Sequence, residues 1–330
     1  MARRMCNSGT TLGKRSESSC APSVGIPRIG WPRGLAHASR DIARLARLAV
    51  PICSLCVLSF GGDISARTPS PPHPVAEIPF KAYQGYLIVV EGRIGNLEHQ
   101  NLLLDTGSNP SMIDSSVSAK LGLHGTARDM SVFNKSVASE SITLPDLQFG
   151  PVRRQNLPVM VANFSVIGSG LGTRIDAVIG LDVLGGTNFT VDYAKRRIFF
   201  GVSVERYTAP FTAGQQFITV NLRSGGRQLH LLLDTGTPQL VLFESHLRGM
   251  DYVWSGAIGS GQNVAGNVRF GTVVLPRARI GTLEVGPQRA SVVASRAGIE
   301  SDLDGLMGVS CLRPRRISFD FERQLLGWSD

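Results

Sequence analysis

Two aspartates in this sequence sit in identical surroundings: "LLLDTG" spans Leu102–Gly107 and recurs letter for letter at Leu231–Gly236. Asp-Thr-Gly alone is an ordinary turn, because Asp and Gly both suit tight reversals of the chain. Three leucines leading into it describe something else, a buried apolar strand that ends abruptly in a carboxylate. Two such strands in one chain put forward Asp105 and Asp234 as a pair that meets. Paired carboxyl groups are the side chains that general acid–base chemistry most simply uses.

Other chemistries are poorly represented. The six histidines form no His-Glu-x-x-His helix, which argues against a zinc peptidase. There is no Gly-x-Ser-x-Gly elbow, and "GSGLGT" at Gly168–Thr173 lacks the third glycine of a dinucleotide fingerprint and reads as a loop. His99 and His230, just before the leucine strands, read as satisfied rim residues. Asp176 and Asp304 occupy matching turns downstream and read as structural caps rather than as a second acid pair.

The elements that position the two aspartates also come twice. "YLIVVEGRI" (Tyr86–Ile94) and "QFITVNL" (Gln216–Leu222) are strands, each followed by a glycine-containing turn and then by a leucine strand. "SMID" (Ser111–Asp114) and "LVLF" (Leu240–Phe243) come next. Each enters a brief helix, the first capped by Asp114 and closed by Gly122, the second near Glu244–Arg248 before Gly249. Farther on, "DAVIGLDVL" (Asp176–Leu184) aligns with "DGLMGVSCL" (Asp304–Leu312), and "NFTVDYAKRRIFFG" (Asn188–Gly201) with "RRISFDFERQLLGW" (Arg315–Trp328). The offset is 129 from Asp105 to Asp234 and 128 from Gly180 to Gly308, which predicts two tandem units of one fold.

A strand ending in Asp-Thr-Gly, followed downstream by a hydrophobic-hydrophobic-Gly turn, resembles the aspartic peptidases. The short repeat is similar to their retropepsin-like branch, in particular the bacterial-type aspartyl proteases. The resemblance implies an all-β fold of two tandem retropepsin-like (acid protease) barrel domains, closing on each other as an intramolecular pseudo-dimer. It implies that Asp105 and Asp234 are catalytic and activate a water held between them. Thr106 and Thr235 would interlock the two loops, and Gly107 and Gly236 would let the backbone approach the carboxylates. Ser108 and Thr237 would donate their hydroxyls to those carboxylates, while Gly180 and Gly308 would mark the strand turns packed beneath. Flaps over the substrate are expected at Ala127–Ser141 and Ser255–Asn267. The implied partner is a peptide or protein substrate of a functional monomer, with no cofactor, metal or nucleic acid. The alternatives are a non-catalytic peptide-binding module on the same fold, or a dimer with two sites.

Bulk properties agree with an ordinary globular chain: 330 residues, 42% hydrophobic and 18% charged. The formal charge of +9 is concentrated at the start, where residues 1–66 hold nine Lys/Arg against three Asp/Glu, so the remainder carries no nucleic-acid footprint. Within that start, Arg40, Arg44 and Arg47 precede the short apolar run Leu48–Phe60, and small residues follow, the parts of a secretory signal. The organisation expected is a disordered leader over 1–66 with this signal-like segment, a Pro-rich linker over 67–85, and aspartic-protease units over 86–205 and 206–330. The expected location is outside the cytoplasm, periplasmic or secreted, with membrane anchoring through the apolar run as the variant. Four of the five cysteines lie in the leader, leaving Cys311 alone and no intrachain disulfide in the rest.

Overall fold

The three leucines before each Asp-Thr-Gly are consecutive because both faces of their strands are covered. Leu102 and Leu104 enter the main core while Leu103 points into a second cluster; Leu231 and Leu233 share that main core while Leu232 points into a third. Side chains alternate along a strand, so an unbroken apolar run requires burial on both sides. Each such leucine contributes roughly 1.5–3 kcal/mol by leaving water.

A computed structural model describes residues 76–132, 135–201, 203–214, 216–263, 266–294 and 302–330. The chain divides into Met1–Ala66 and Arg67–Asp330, and the described residues all belong to the second unit. The leader over 1–66 and its apolar run Leu48–Phe60 lie outside the described residues.

Strands β1 (Glu77–Pro79) and β2 (Lys81–Tyr83) precede β3 (Leu87–Ile94) and β4 (Leu97–Leu104). β5 (Met112–Asp114) leads into α1 (Ser115–Leu121), followed by the hairpin of β6 (Thr126–Val132) and β7 (Lys135–Phe149), then β8 (Val152–Ala162) and α2 (Ser165–Leu171). β9 (Ala177–Ile179), α3 (Leu181–Leu184) and the hairpin of β10 (Phe189–Asp192) and β11 (Arg197–Phe200) come next. β12 (Tyr207–Pro210) and β13 (Thr212–Ala213) lead to β14 (Ile218–Ser224), β15 (Arg227–Asp234) and β16 (Leu240–Phe243). A second long hairpin, β17 (Val253–Asn263) and β18 (Gly266–Leu275), precedes β19 (Ala278–Ile280), β20 (Leu283–Glu284) and β21 (Gln288–Val293). β22 (Gly305–Gly308) and the hairpin of β23 (Arg316–Asp320) and β24 (Leu325–Ser329) complete the described chain.

Local chemistry sets several of these boundaries. Asp114 caps α1 by accepting from Ser116 N–H, and Gly122, at φ +63°, closes it in the left-handed conformation that glycine adopts without strain. The brief helix expected near Glu244–Arg248 is a 3-10 helix over Glu244–Leu247. Gly168–Thr173, expected as a loop, begins instead inside α2. The helix tolerates Gly168 because a Cβ there would lie 2.9 Å from the Thr173 carbonyl oxygen, so the close turn excludes larger residues. Pro79 sits in an edge strand, where its missing N–H costs no ladder bond.

The expected fold class, two tandem barrels, is corrected. The architecture is largely β with short helices; its two larger sheets are irregular and mixed and do not close into barrels, while the third is antiparallel throughout. One sheet has eight strands in the order β2-β3-β4-β9-β5-β8-β7-β6, with β7 touching β3 only at Arg93–Gln148 and Ile94–Leu147. Another runs β17-β18-β21-β16-β22-β15-β14-β19-β20, with β13 attached to β14, and its two end strands do not pair. The physical reason lies in the third sheet, β1-β11-β10-β23-β24-β12. It draws off the hairpins β10–β11 and β23–β24 and pairs them through β10 and β23, with Thr190 opposite Ser318. Their inner residues Val191, Ile198, Ile317, Phe319, Leu326 and Trp328 are buried in the main core. The strands that would round off each barrel are thereby spent on joining the two halves.

The expected location is corrected as well. Among the described residues no helix is long and apolar enough to cross a membrane, and the apolar run Leu48–Phe60 named as the anchor lies outside them.

Candidate active site

Asp105 and Asp234 emerge at the ends of β4 and β15 because a parallel neighbour pins each strand to its last residue. β9 runs beside β4 with Leu104 opposite Ile179, and Asp105 N–H donates to the Ile179 carbonyl at 2.9 Å. β22 runs beside β15 with Asp234 opposite Gly308. The downstream glycines sit where the loops press closest. A Cβ on Gly180 would collide with the Ser108 carbonyl oxygen, and one on Gly308 would lie 2.6 Å from Gln239 N.

The two loops interlock. Thr106 Oγ1 donates to the Leu233 carbonyl at 2.7 Å and accepts from Thr235 N–H at 3.1 Å. Thr235 Oγ1 donates to the Leu104 carbonyl at 2.9 Å and accepts from Thr106 N–H at 2.9 Å. Both threonines are buried, so these four bonds have no competition from water.

The interlock sets the carboxyl groups against each other's glycines. A Cβ on Gly107 would lie 2.5 Å from Asp234 Cγ, and one on Gly236 would lie 2.5 Å from Asp105 Oδ2. Only glycine permits this crossing. Gly107 N–H donates to Asp105 Oδ1 at 2.8 Å; Gly236 and Thr237 N–H donate to Asp234 Oδ1 at 2.7 and 3.1 Å.

Burial raises both carboxyls above the ordinary range, Asp234 the further. For Asp234, burial is the larger cause, followed by the charge of Asp105 and the hydrogen bond given to it. That same bond pulls Asp105 back down, as do the Gly107 and Gly236 N–H groups. Both shifts point the same way, so the buried pair holds a proton more tightly than either carboxyl would in water.

The hydroxyls of Ser108 and Thr237 donate to neither carboxylate; Thr237 acts through its N–H alone. Pro110 and Pro238 leave both loops intact, but the loops are tied differently. In the first, Ser111 Oγ accepts from Gly180 N–H at 2.9 Å and donates to Asp182 Oδ1 at 2.6 Å. In the second, Gly308 N–H donates to the Gln239 carbonyl at 3.1 Å, and the Ser310 hydroxyl donates to the Pro238 carbonyl. Asp182 and Ser310 are not among the expected site residues. The signal was present, since Asp182 aligns with Ser310 within the matched stretches.

Asp176 and Asp304 stand apart from the pair, as caps. Asp176 Oδ2 accepts from Asn101 N–H at 2.8 Å and Asp304 Oδ2 from His230 N–H at 2.7 Å. His99 is an exposed partner of Glu91 at 2.7 Å, and His230 bonds the Asp302 carbonyl and Thr219 Oγ1. The segments expected as flaps form hairpins, β6–β7 and β17–β18, whose tips at 133–134 and 264–265 lie outside the described residues. Cys311 is buried, which pushes its thiol up to about 12 and leaves it inert as a nucleophile. A cavity of about 690 Å³ beside Asp114, Ser169 and Arg174 contains no paired acids and lies off this site. Among the described residues no group of three or more His, Cys, Asp or Glu side chains is placed to hold a metal ion.

Residues 90–183 match the family model described as Aspartyl protease, a single retropepsin-like domain that takes in Asp105, Thr106, Gly107 and Gly180. Asp234 and Gly308 lie beyond the matched stretch. Comparison with curated proteins gives no match.

Proposed function

We propose that this chain is an aspartic endopeptidase in which the units over 86–205 and 206–330 supply one acid each to a single site. Asp105, the ionised member, takes a proton from a water lying between the carboxyls as that water attacks the scissile carbonyl carbon. Asp234, the protonated member, donates to the carbonyl oxygen, and a proton is then delivered to the departing nitrogen. The substrate is a peptide in extended form, held by main-chain hydrogen bonds beneath the two hairpins. Because both acids belong to one chain, the second loop is always present at high effective concentration, and the active species is a monomer.

The observation that carries this reading is the mutual contact of the Asp105 and Asp234 carboxyls, each lying over the other loop's glycine, with both proton affinities raised. The aspartyl-protease match over 90–183 supports it. The test is turnover of a mixed peptide library at acid pH by the full chain. Cleavage abolished by Asp105→Asn, by Asp234→Asn and by a statine-type transition-state mimic supports the proposal. Binding of that mimic without cleavage would instead establish a peptide-binding module.

A further inference from the structure

The sheet that joins the two halves is built from matching hairpins, and its two ends can be compared residue by residue. At one end lies the β10–β11 turn, where Phe80 N–H donates to the Arg196 carbonyl at 3.1 Å. At the other lies the β23–β24 turn, where Phe211 N–H donates to the Gln324 carbonyl at 3.0 Å. Arg196 and Gln324 hold the same left-handed backbone, at φ +56° and +54°. The two ends share a conformation but not a charge.

The first end carries a row of cations. Pro79, Arg197, Asp192 and Arg316 stand opposite one another across β1, β11, β10 and β23. Just beyond them come Lys81, Lys195, Arg196, Arg313 and Arg315, all exposed; the Arg315 carbonyl accepts from Tyr193 N–H at 2.8 Å. None of these five, nor half-buried Arg197, has a carboxylate partner among the described residues. The carboxylates at this end are spent elsewhere. Asp192 and Glu205, both with buried side chains, face Arg316 at 3.8 and 3.3 Å; the Arg316 Nε is itself buried and makes no hydrogen bond. Asp330 pairs with Arg206 at 3.4 Å, and Glu77 stands at the far end of β1, opposite Phe199.

Shifted by 128, the offset between Gly180 and Gly308, Lys195, Arg196 and Arg197 become Arg323, Gln324 and Leu325, while Arg313 and Arg315 become Gly185 and Thr187. Lys81, which follows Phe80, corresponds to Thr212, which follows Phe211. Of these counterparts only Arg323 is charged, and Asp320 faces it at 3.9 Å. The fold therefore does not require the cations, and like charges on neighbouring strands work against it.

We infer that this row is a docking surface for an acidic stretch of polypeptide. Four adjacent strands make it roughly 15 Å wide, and an extended chain sets the side chains of one face about 7 Å apart, so about three carboxylates reach it at once. Four of the cations are arginines, whose planar fork matches a carboxylate. Beneath them the rings of Phe80 and Tyr193 are buried, 5.7 Å apart, with the Arg196 guanidinium 6.0 Å from the Phe80 centroid. Lys195 Nζ lies over the Phe199 ring at 6.0 Å. These rings support cations instead of serving as platforms for bases, and the exposed rings Tyr252 and Trp254 belong to the β17 region of another sheet. That favours a peptide over a single-stranded nucleic acid, in keeping with the aspartyl-protease match. None of the cations is bonded to either Asp-Thr-Gly loop, so the row recruits and takes no part in bond cleavage. Recruitment of a substrate rests on the peptidase reading; the docking itself does not.

The test is fluorescence anisotropy of a labelled peptide alternating Glu and Ser, titrated with the full chain, beside its Gln-Ser analogue and DNA oligonucleotides of equal charge. The acidic peptide binds, the neutral one does not, and binding is lost as salt approaches about 1 M, where charges are screened within about 3 Å. Lys81→Thr/Arg196→Gln/Arg315→Thr, which installs the residues of the other end, weakens binding about ten-fold or more. Arg313→Gly, at φ +46° where glycine is unstrained, combined with Lys195→Ser gives an independent loss of the same sign. Arg323→Gln, at the other end, binds like the parent. With turnover, the triple variant raises KM about ten-fold for a substrate bearing an acidic stretch, leaves kcat unchanged, and leaves a substrate without the stretch unaffected. Peptide binding that survives both sets of substitutions, or an oligonucleotide that binds more tightly than the peptide, overturns the inference. Docking as expected without any peptide cleavage would keep the surface and discard the peptidase.

Discussion

Thr106 and Thr235, 129 residues apart, each accept the other's N–H with a side-chain oxygen while sending the hydroxyl proton across to the partner strand. Removing either hydroxyl breaks two buried bonds at once. Thr106→Val and Thr235→Val are each expected to cost about 1–3 kcal/mol in urea unfolding and to depress turnover, since the carboxyls lose their common frame. Thr→Ser at the same positions keeps the hydroxyl and is expected to cost less than about 1 kcal/mol. Equal losses for Val and Ser would show that the methyl packing matters and the bonds do not.

The acid pair sets the direction of the pH response. Both carboxyls bind a proton more tightly in the folded chain, so the stability they confer is complete below about pH 4, the ordinary carboxyl value, and is lost as pH rises above it. Asp234→Asn removes the group displaced furthest. Its unfolding midpoint is expected to match or exceed that of the parent at pH 7 and to depend less on pH, while turnover falls by about 10²–10⁴. A midpoint well below the parent's at pH 7 would contradict this.

A methyl group at Gly107 or Gly236 occupies space already taken by the opposite carboxyl. Gly107→Ala and Gly236→Ala are expected to lower kcat at least ten-fold and to cost about 1–3 kcal/mol through overpacking. Gly122→Ala, where a Cβ meets nothing within 4 Å, provides the comparison: it strains only the backbone and leaves kcat unchanged.

Ser108→Ala and Thr237→Ala are expected to leave the pH–rate profile superimposable on the parent's, because neither hydroxyl reaches a carboxylate. A displaced acidic limb in either variant would mean that the hydroxyl turns inward when substrate binds.

The repeated hexapeptide made Asp105 and Asp234 legible, and the paired downstream glycines identified the strands beneath them. Those features are short-range: an apolar strand, a tight turn and a glycine where a Cβ would collide all leave marks on adjacent letters. What stayed hidden depends on which distant partner an edge chooses. The hairpins at Asn188–Gly201 and Arg315–Trp328 read correctly as strand, turn and strand. Nothing in their letters says that Thr190 lies opposite Ser318 in a sheet common to both halves, which is why closed barrels were expected.

The common sheet has a mechanical corollary. β1 flanks β11 and β12 flanks β24, so the six strands are laced by main-chain bonds independent of the covalent link between β11 and β12. A molecule nicked in that link would not come apart, because the seam between β10 and β23 would still be stitched and the buried rings of Phe189 and Phe319, 4.8 Å apart, would still be stacked. The polypeptide connection delivers the halves to one another; afterwards the sheet holds them.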